Sequence, residues 1–162
     1  SLPVVLQTEI AECGLACVSM VATFYGYCID LNSLRANYSS SLKGQTLKGI
    51  INIFDCIGMA ARAVRLEIDE LKQLKTPCIL HWDLNHFVVL ESVTKKGIVI
   101  HDPATGRREL SFEIVSKHFT GVAVEIKPSS SFTKKKITKK TNISDQVFPH
   151  CFQYNYFKLY QD

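Results

Sequence analysis

Residues 13–25 read Cys-Gly-Leu-Ala-Cys-Val-Ser-Met-Val-Ala-Thr-Phe-Tyr, without a single charge, and Gly26 follows. The pattern predicts a helix with a glycine stop. A helix that is apolar all round must be covered on every side, so it belongs at the centre of a domain. It is also too short to cross a bilayer, which needs about 20 such residues.

The rest of the chain supplies the cover. Asp30 is a helix cap before Leu31, Leu34 and Tyr38, after which Ser39-Ser40-Ser41 and Lys43-Gly44 make a loop. Leu47, Ile50, Ile51, Phe54 and Ile57 fall at helical spacing, and Gly58 ends that run. From residue 60 the period shortens. Val64 and Leu66 alternate with Arg65 as a strand, and a short helix over residues 69–74 stops before Pro77. Strands are expected at residues 78–82, 87–93, 98–100, 108–110 and 122–126, with a Lys95-Lys96-Gly97 hairpin, a turn at residues 102–106 and a Ser111-capped helix between. An extended Val4-Val5-Leu6 precedes everything. Helices first and an antiparallel sheet second make the fold class α+β.

The 162 residues carry a net charge of +4, and its location decides what it means. Residues 1–127 hold thirteen Lys and Arg against thirteen Asp and Glu, so the body is neutral. The excess lies in residues 128–162, where Lys134, Lys135, Lys136, Lys139, Lys140 and Lys158 outnumber Asp145 and Asp162. A neutral body lacks the concentrated basic face that phosphate binding needs, so no nucleic-acid partner is expected. We divide the chain into a domain at 1–127 and a basic linker with an aromatic tail at 128–162. The N-terminus has no basic region followed by an apolar core, and the six cysteines form no CxxC pair, which suits reduced thiols in a cytoplasmic setting.

Cys13 stands at the start of the central helix, where exposed backbone amides and the positive end of the dipole stabilise a thiolate. Gly14 is read as leaving space above the sulfur, and Cys17 as a buried core residue. His86 opens the strand Phe87-Val88-Val89-Leu90, and Asp102 comes 16 residues on, just after the next strand, Ile98-Val99-Ile100, so adjacent antiparallel strands can bring the two together. Cys, His and Asp then form a nucleophile, a general base and acid, and an orienting carboxylate. Gln7 lies six residues before Cys13, where its side-chain amide, with the Cys13 backbone amide, can donate to an oxyanion.

Three stretches carry a resemblance: Gln7-Thr8-Glu9-Ile10-Ala11-Glu12-Cys13-Gly14-Leu15-Ala16-Cys17, then Leu80-His81-Trp82-Asp83 with His86-Phe87-Val88-Val89-Leu90, then His101-Asp102-Pro103-Ala104-Thr105-Gly106. Over about residues 3–127 the chain resembles the double-glycine leader peptidase domain of bacteriocin-exporting ABC transporters, of the colicin V exporter type. The resemblance implies a papain-like fold and removal of the leader of a bacteriocin or microcin precursor after a Gly-Gly pair. It implies Cys13 as nucleophile, His86 as base and acid, Asp102 as orienting residue and Gln7 in the oxyanion hole. No cofactor or metal is implied. The implied partners are a double-glycine leader precursor peptide and the transmembrane and ATPase domains of a transporter, at the cytoplasmic side of the bacterial inner membrane. Asn85 departs from the small residue usual before the histidine and is expected to alter entry to the cleft. A leader helix would dock on an apolar groove, for which Leu42, Phe54 and Met59 are candidates, although the spacing of Phe54 favours the core.

Rival readings are a zinc site built on Cys13, Cys17, His81 and His86, which lacks tight ligand spacing, and a transglutaminase-like use of the same triad order. A leader-docking domain that does not cut is the alternative function.

Overall fold

The computed structural model describes residues 1–38 and 43–134. The expected central helix is α1 (Cys13–Phe24), and every residue from Cys13 to Ala22 is buried. Two shorter helices pack beside it, α2 (Leu31–Asn37) and α3 (Leu47–Cys56). Their ends have local causes. The Ser33 amide donates to the Asp30 carboxylate at 2.7 Å, and the Gly49 amide donates to the Thr46 hydroxyl at 3.0 Å. Gly26 and Gly58 take φ of +96° and +83°, which a side chain would resist, and so close α1 and α3.

The six strands are β1 (Met59–Arg65), β2 (Cys78–Trp82), β3 (His86–Val93), β4 (Gly97–Asp102), β5 (Gly106–Ser111) and β6 (Phe119–Pro128). They form one antiparallel sheet in the order β1-β6-β2-β3-β4-β5. A short 3-10 helix (Ile68–Gln73) links β1 to β2, and α4 (Phe112–His118), capped by Ser111, links β5 to β6. The chain is therefore α+β, as expected, with α1 to α3 on one face of the sheet and α4 on the other.

Both faces are dry, which explains the unbroken apolar run 87–90. Ile79, Phe87, Val89, Val124 and Ile126 point to α1, whereas Leu80, Val88, Leu90, Ile98 and Ile100 pack with Val115 of α4 and Leu71.

Residues 4–6 form a strap tied to the end of β4, because the His101 Nδ1–H donates to the Pro3 carbonyl at 2.7 Å and the Gln7 amide to the Pro103 carbonyl at 2.8 Å. The structure alters three expectations. Phe54 and Met59 are fully buried and cannot line a surface groove; Leu42 lies outside the described residues. Gly14 does not open space above the sulfur, since a Cβ there would stand 3.0 Å from Gln45 Cβ and 3.2 Å from Ile50 Cδ1. It is small so that α1 can approach α3. Packing also continues past residue 127. The Ser129 amide donates to the Gly58 carbonyl at 3.1 Å, and Phe132 lies 6.3 Å from the Tyr27 ring. Most of the 128–162 segment lies outside the described residues.

Candidate active site

Three elements meet at one end of the central strands. Val89 of β3 pairs with His101 of β4, so the start of β3 and the end of β4 come to the same side, and α1 lies against β3 with its first residue there. This placement puts Cys13, His86 and Asp102 together although 89 positions separate the first from the last.

The His86 Nε2–H donates to Asp102 Oδ1 at 2.8 Å, which leaves Nδ1 as the ring nitrogen that can face the sulfur. The Cys13 Sγ lies 4.0 Å from the carbonyl oxygen of Asn85, the residue before His86. Burial alone would lower the basicity of His86. The hydrogen bonds to Asp102 and Cys13 and their negative charges outweigh it and lift the ring from 6.5 to about 9. Asp102 is buried as well, which works to raise it. Hydrogen bonds from His86, the Ala104 amide at 2.8 Å and Thr105 overcome that and hold it below the usual carboxylate value. Near neutral pH the cluster therefore holds an imidazolium between a carboxylate and a sulfur.

Cys17 is one turn further along α1 and has no exposure. Burial, with the neighbouring charges of Cys13 and Asp102, pushes its thiol far up, so it is a poor nucleophile. The Gln7 backbone amide, at the end of the strap, donates to the Pro103 carbonyl in the turn that follows Asp102. The Gln7 Oε1 is buried without a hydrogen-bond partner among the described residues. His81 faces elsewhere, its ring nitrogens engaged by the Thr120 hydroxyl at 2.8 Å and the Leu84 carbonyl at 3.1 Å. Among the described residues no three His, Cys, Asp or Glu side chains are grouped to hold a metal ion.

The sequence profile of the Peptidase C39 family matches residues 1–131. This chain belongs to the Peptidase C39 family. It is thus a member of a cysteine peptidase family. It is 54% identical over 142 residues to the colicin V secretion/processing ATP-binding protein CvaB of Escherichia coli, an alignment that takes in 88% of this chain and 20% of that relative. The chain thus spans about a fifth of the length of such relatives. A double glycine motif protease from an AMS/PCAT transporter, solved in complex with its leader peptide, superposes with a TM-score of 0.76 at 34% identity, covering 80% of this chain and 93% of that one. The peptidase domain of Streptococcus ComA shares the fold, with a TM-score of 0.74 at 24% identity, covering 80% of this chain and all of that one.

One residue of this C39 chain escaped the sequence reading. Glu12 immediately precedes Cys13, its side chain is 4% exposed, and its carboxylate is held down to about 2, mainly by the Arg35 guanidinium. Its signal was present in Thr8-Glu9-Ile10-Ala11-Glu12, where a carboxylate three or four residues on can cap the amides of a turn. Nothing in the sequence pointed to Arg35 as the partner, because it comes from α2.

Proposed function

We propose that this chain is a cysteine endopeptidase that removes the leader of bacteriocin or microcin precursors after a Gly-Gly pair, working with an ABC transporter that exports the product. Cys13 is the nucleophile, His86 the general acid and base, Asp102 its orienting residue and Gln7 a donor to the oxyanion. The observation that carries this reading is the His86 ring, hydrogen-bonded to Asp102 at 2.8 Å, next to Asn85, whose carbonyl lies 4.0 Å from the Cys13 sulfur at the head of a buried helix.

The chemistry follows from the charges. The Cys13 thiolate attacks the carbonyl carbon of the second glycine, and the oxygen takes the negative charge, to which the Gln7 side-chain amide and the Cys13 backbone amide donate. The tetrahedral intermediate collapses, the C–N bond breaks, and His86 gives its proton to the leaving amine. Neutral His86 then takes a proton from water, whose oxygen attacks the thioester and frees the leader. Asp102 keeps the ring in one tautomer and balances its charge throughout.

Glycine preference has a steric origin. Two residues without side chains thread a slot beside the sulfur that larger residues cannot enter, so discrimination comes from clash. The likeness to CvaB, a secretion and processing protein, supports a bacteriocin-type precursor as substrate and a transporter as partner. We place the domain on the cytoplasmic side of the bacterial inner membrane. The lysines of the 128–162 segment would there face anionic lipid as a linker to the membrane.

The test is cleavage of a precursor peptide bearing a Gly-Gly leader, read by mass spectrometry beside Cys13→Ala. Scission after Gly-Gly by the wild type alone is expected. Scission elsewhere, or by both proteins, contradicts the mechanism, and a complex with intact peptide points to docking without cutting.

A further inference from the structure

The two proposed oxyanion donors sit at opposite ends of one tight turn. Gln7 ends the strap, Cys13 begins α1, and between them lies a single 3-10 turn (Ile10–Glu12). A turn of three residues has too few internal hydrogen bonds to fix its own shape. Two carboxylates cap it: the Glu9 side chain accepts from the Glu12 amide, and Glu12 carries most of the bonds. Glu12 Oε2 accepts from the Thr8 amide at 3.1 Å, the Thr8 hydroxyl at 2.8 Å and the Glu9 amide at 3.2 Å, while Oε1 accepts from the Arg35 Nε–H. Arg35 is itself fixed, donating to Thr8 Oγ1 at 3.0 Å and to Asn32 Oδ1 at 2.8 Å.

A buried carboxylate is costly unless its lone pairs are filled, and a turn that only needed to close could do so with an uncharged cap. This carboxylate has four donors on two oxygens, and they come from the residues that follow Gln7 and from a different helix. Any change in its position moves Thr8 and Glu9 relative to Cys13, and Gln7 with them. We infer that Glu12, held by Arg35, is a positioning residue that sets the separation of the Gln7 side chain from the Cys13 amide, and so the geometry of the oxyanion hole. The inference rests on the peptidase reading given above.

Removal of one oxyanion donor costs about 10²- to 10³-fold in kcat, and displacement of one costs less. For Glu12→Gln, kcat on a Gly-Gly precursor peptide should fall about 10- to 100-fold with KM within about threefold. Two thiol probes separate positioning from general damage. A leader-derived peptide ending in glycinal adds the Cys13 S–H across its C=O, and the resulting oxygen occupies the hole. Iodoacetamide loses iodide as the same sulfur is alkylated, with no oxyanion formed. Aldehyde affinity should weaken by the factor seen in kcat, whereas the rate of Cys13 alkylation should stay within about twofold.

Arg35→Ala, at a half-exposed position, is the second variant and should show the same pattern more weakly, with Arg35→Lys recovering part of it. The inference is overturned if aldehyde affinity and alkylation fall together, or if only the melting temperature moves. A wild-type protein that neither cleaves the precursor nor binds the aldehyde overturns the peptidase reading and this inference with it. An active wild type whose two variants keep full kcat overturns this inference alone.

Discussion

Asp102→Asn should change both the rate and its pH dependence, by amounts set by the hydrogen bond at 2.8 Å. The rise of His86 from 6.5 to about 9 corresponds to roughly 3 kcal/mol favouring the imidazolium, at about 1.4 kcal/mol per tenfold. Asp102 and Cys13 both supply it, against burial. Losing the carboxylate removes the Asp102 contribution, and burial then weighs more heavily on what remains. The alkaline limb of kcat/KM, where the imidazolium loses its proton, should move down from about 9 by roughly one pH unit or more. An asparagine also favours the wrong tautomer, so kcat should drop by about 10²- to 10⁴-fold. Stability gives an independent check with a definite sign. Because the folded-state value of His86 is raised, its contribution is complete below 6.5 and is lost as the pH climbs through about 9. Melting temperatures of the wild type should fall across that window and those of the variant should fall less. The assay is a pH series of cleavage rates on a Gly-Gly precursor, paired with thermal melts. An alkaline limb still near 9, with kcat within about threefold of wild type, would refute the role given to Asp102.

Gly14→Ala should destabilise the fold by about 1–3 kcal/mol in chemical denaturation, since its Cβ would press on Gln45 and Ile50, and a neutral result would mean that α1 can shift freely. Cys17→Ala should retain kcat within about twofold, because that thiol is buried and far from its reactive form; loss of cleavage in a folded variant would move the nucleophile one turn along α1. Truncation after residue 134 should leave cleavage unchanged. Truncation after residue 127 removes the Ser129 contact to Gly58 and the packing of Phe132, and should cost about 1–2 kcal/mol of stability while preserving kcat.

Features with a local chemical cause were legible in the sequence. Gly26, Gly58, Asp30 and Ser111 bound their helices because a backbone angle or a cap depends on a few neighbouring residues. The central helix was legible because a charge-free run has one stable fate. Cys13, His86 and Asp102 could be picked out as helix start, strand start and the turn after the next strand, and the structure brings the latter two to one side through the β3–β4 register. What was missed depends on distant partners. Residues 4–6 read as extended, but where that segment is tied depends on the bonds from His101 and to Pro103. β4 runs on to Asp102 because Gly106 pairs with it across the turn. β6 inserts between β1 and β2, a placement that no local pattern encodes. Glu12 went unassigned because its partner Arg35 is brought to it from α2.

The attack of Cys13 on the second glycine has a direct signature. In a single-turnover reaction quenched with acid, the thioester should remain on the protein as a mass gain equal to the freed leader less one water. Fragmentation should place that gain on Cys13, and Cys13→Ala should show none. A leader-mass adduct on Cys17 or another cysteine, or cleavage after Gly-Gly by a Cys13→Ala protein, would contradict the assignment of Cys13 as the nucleophile.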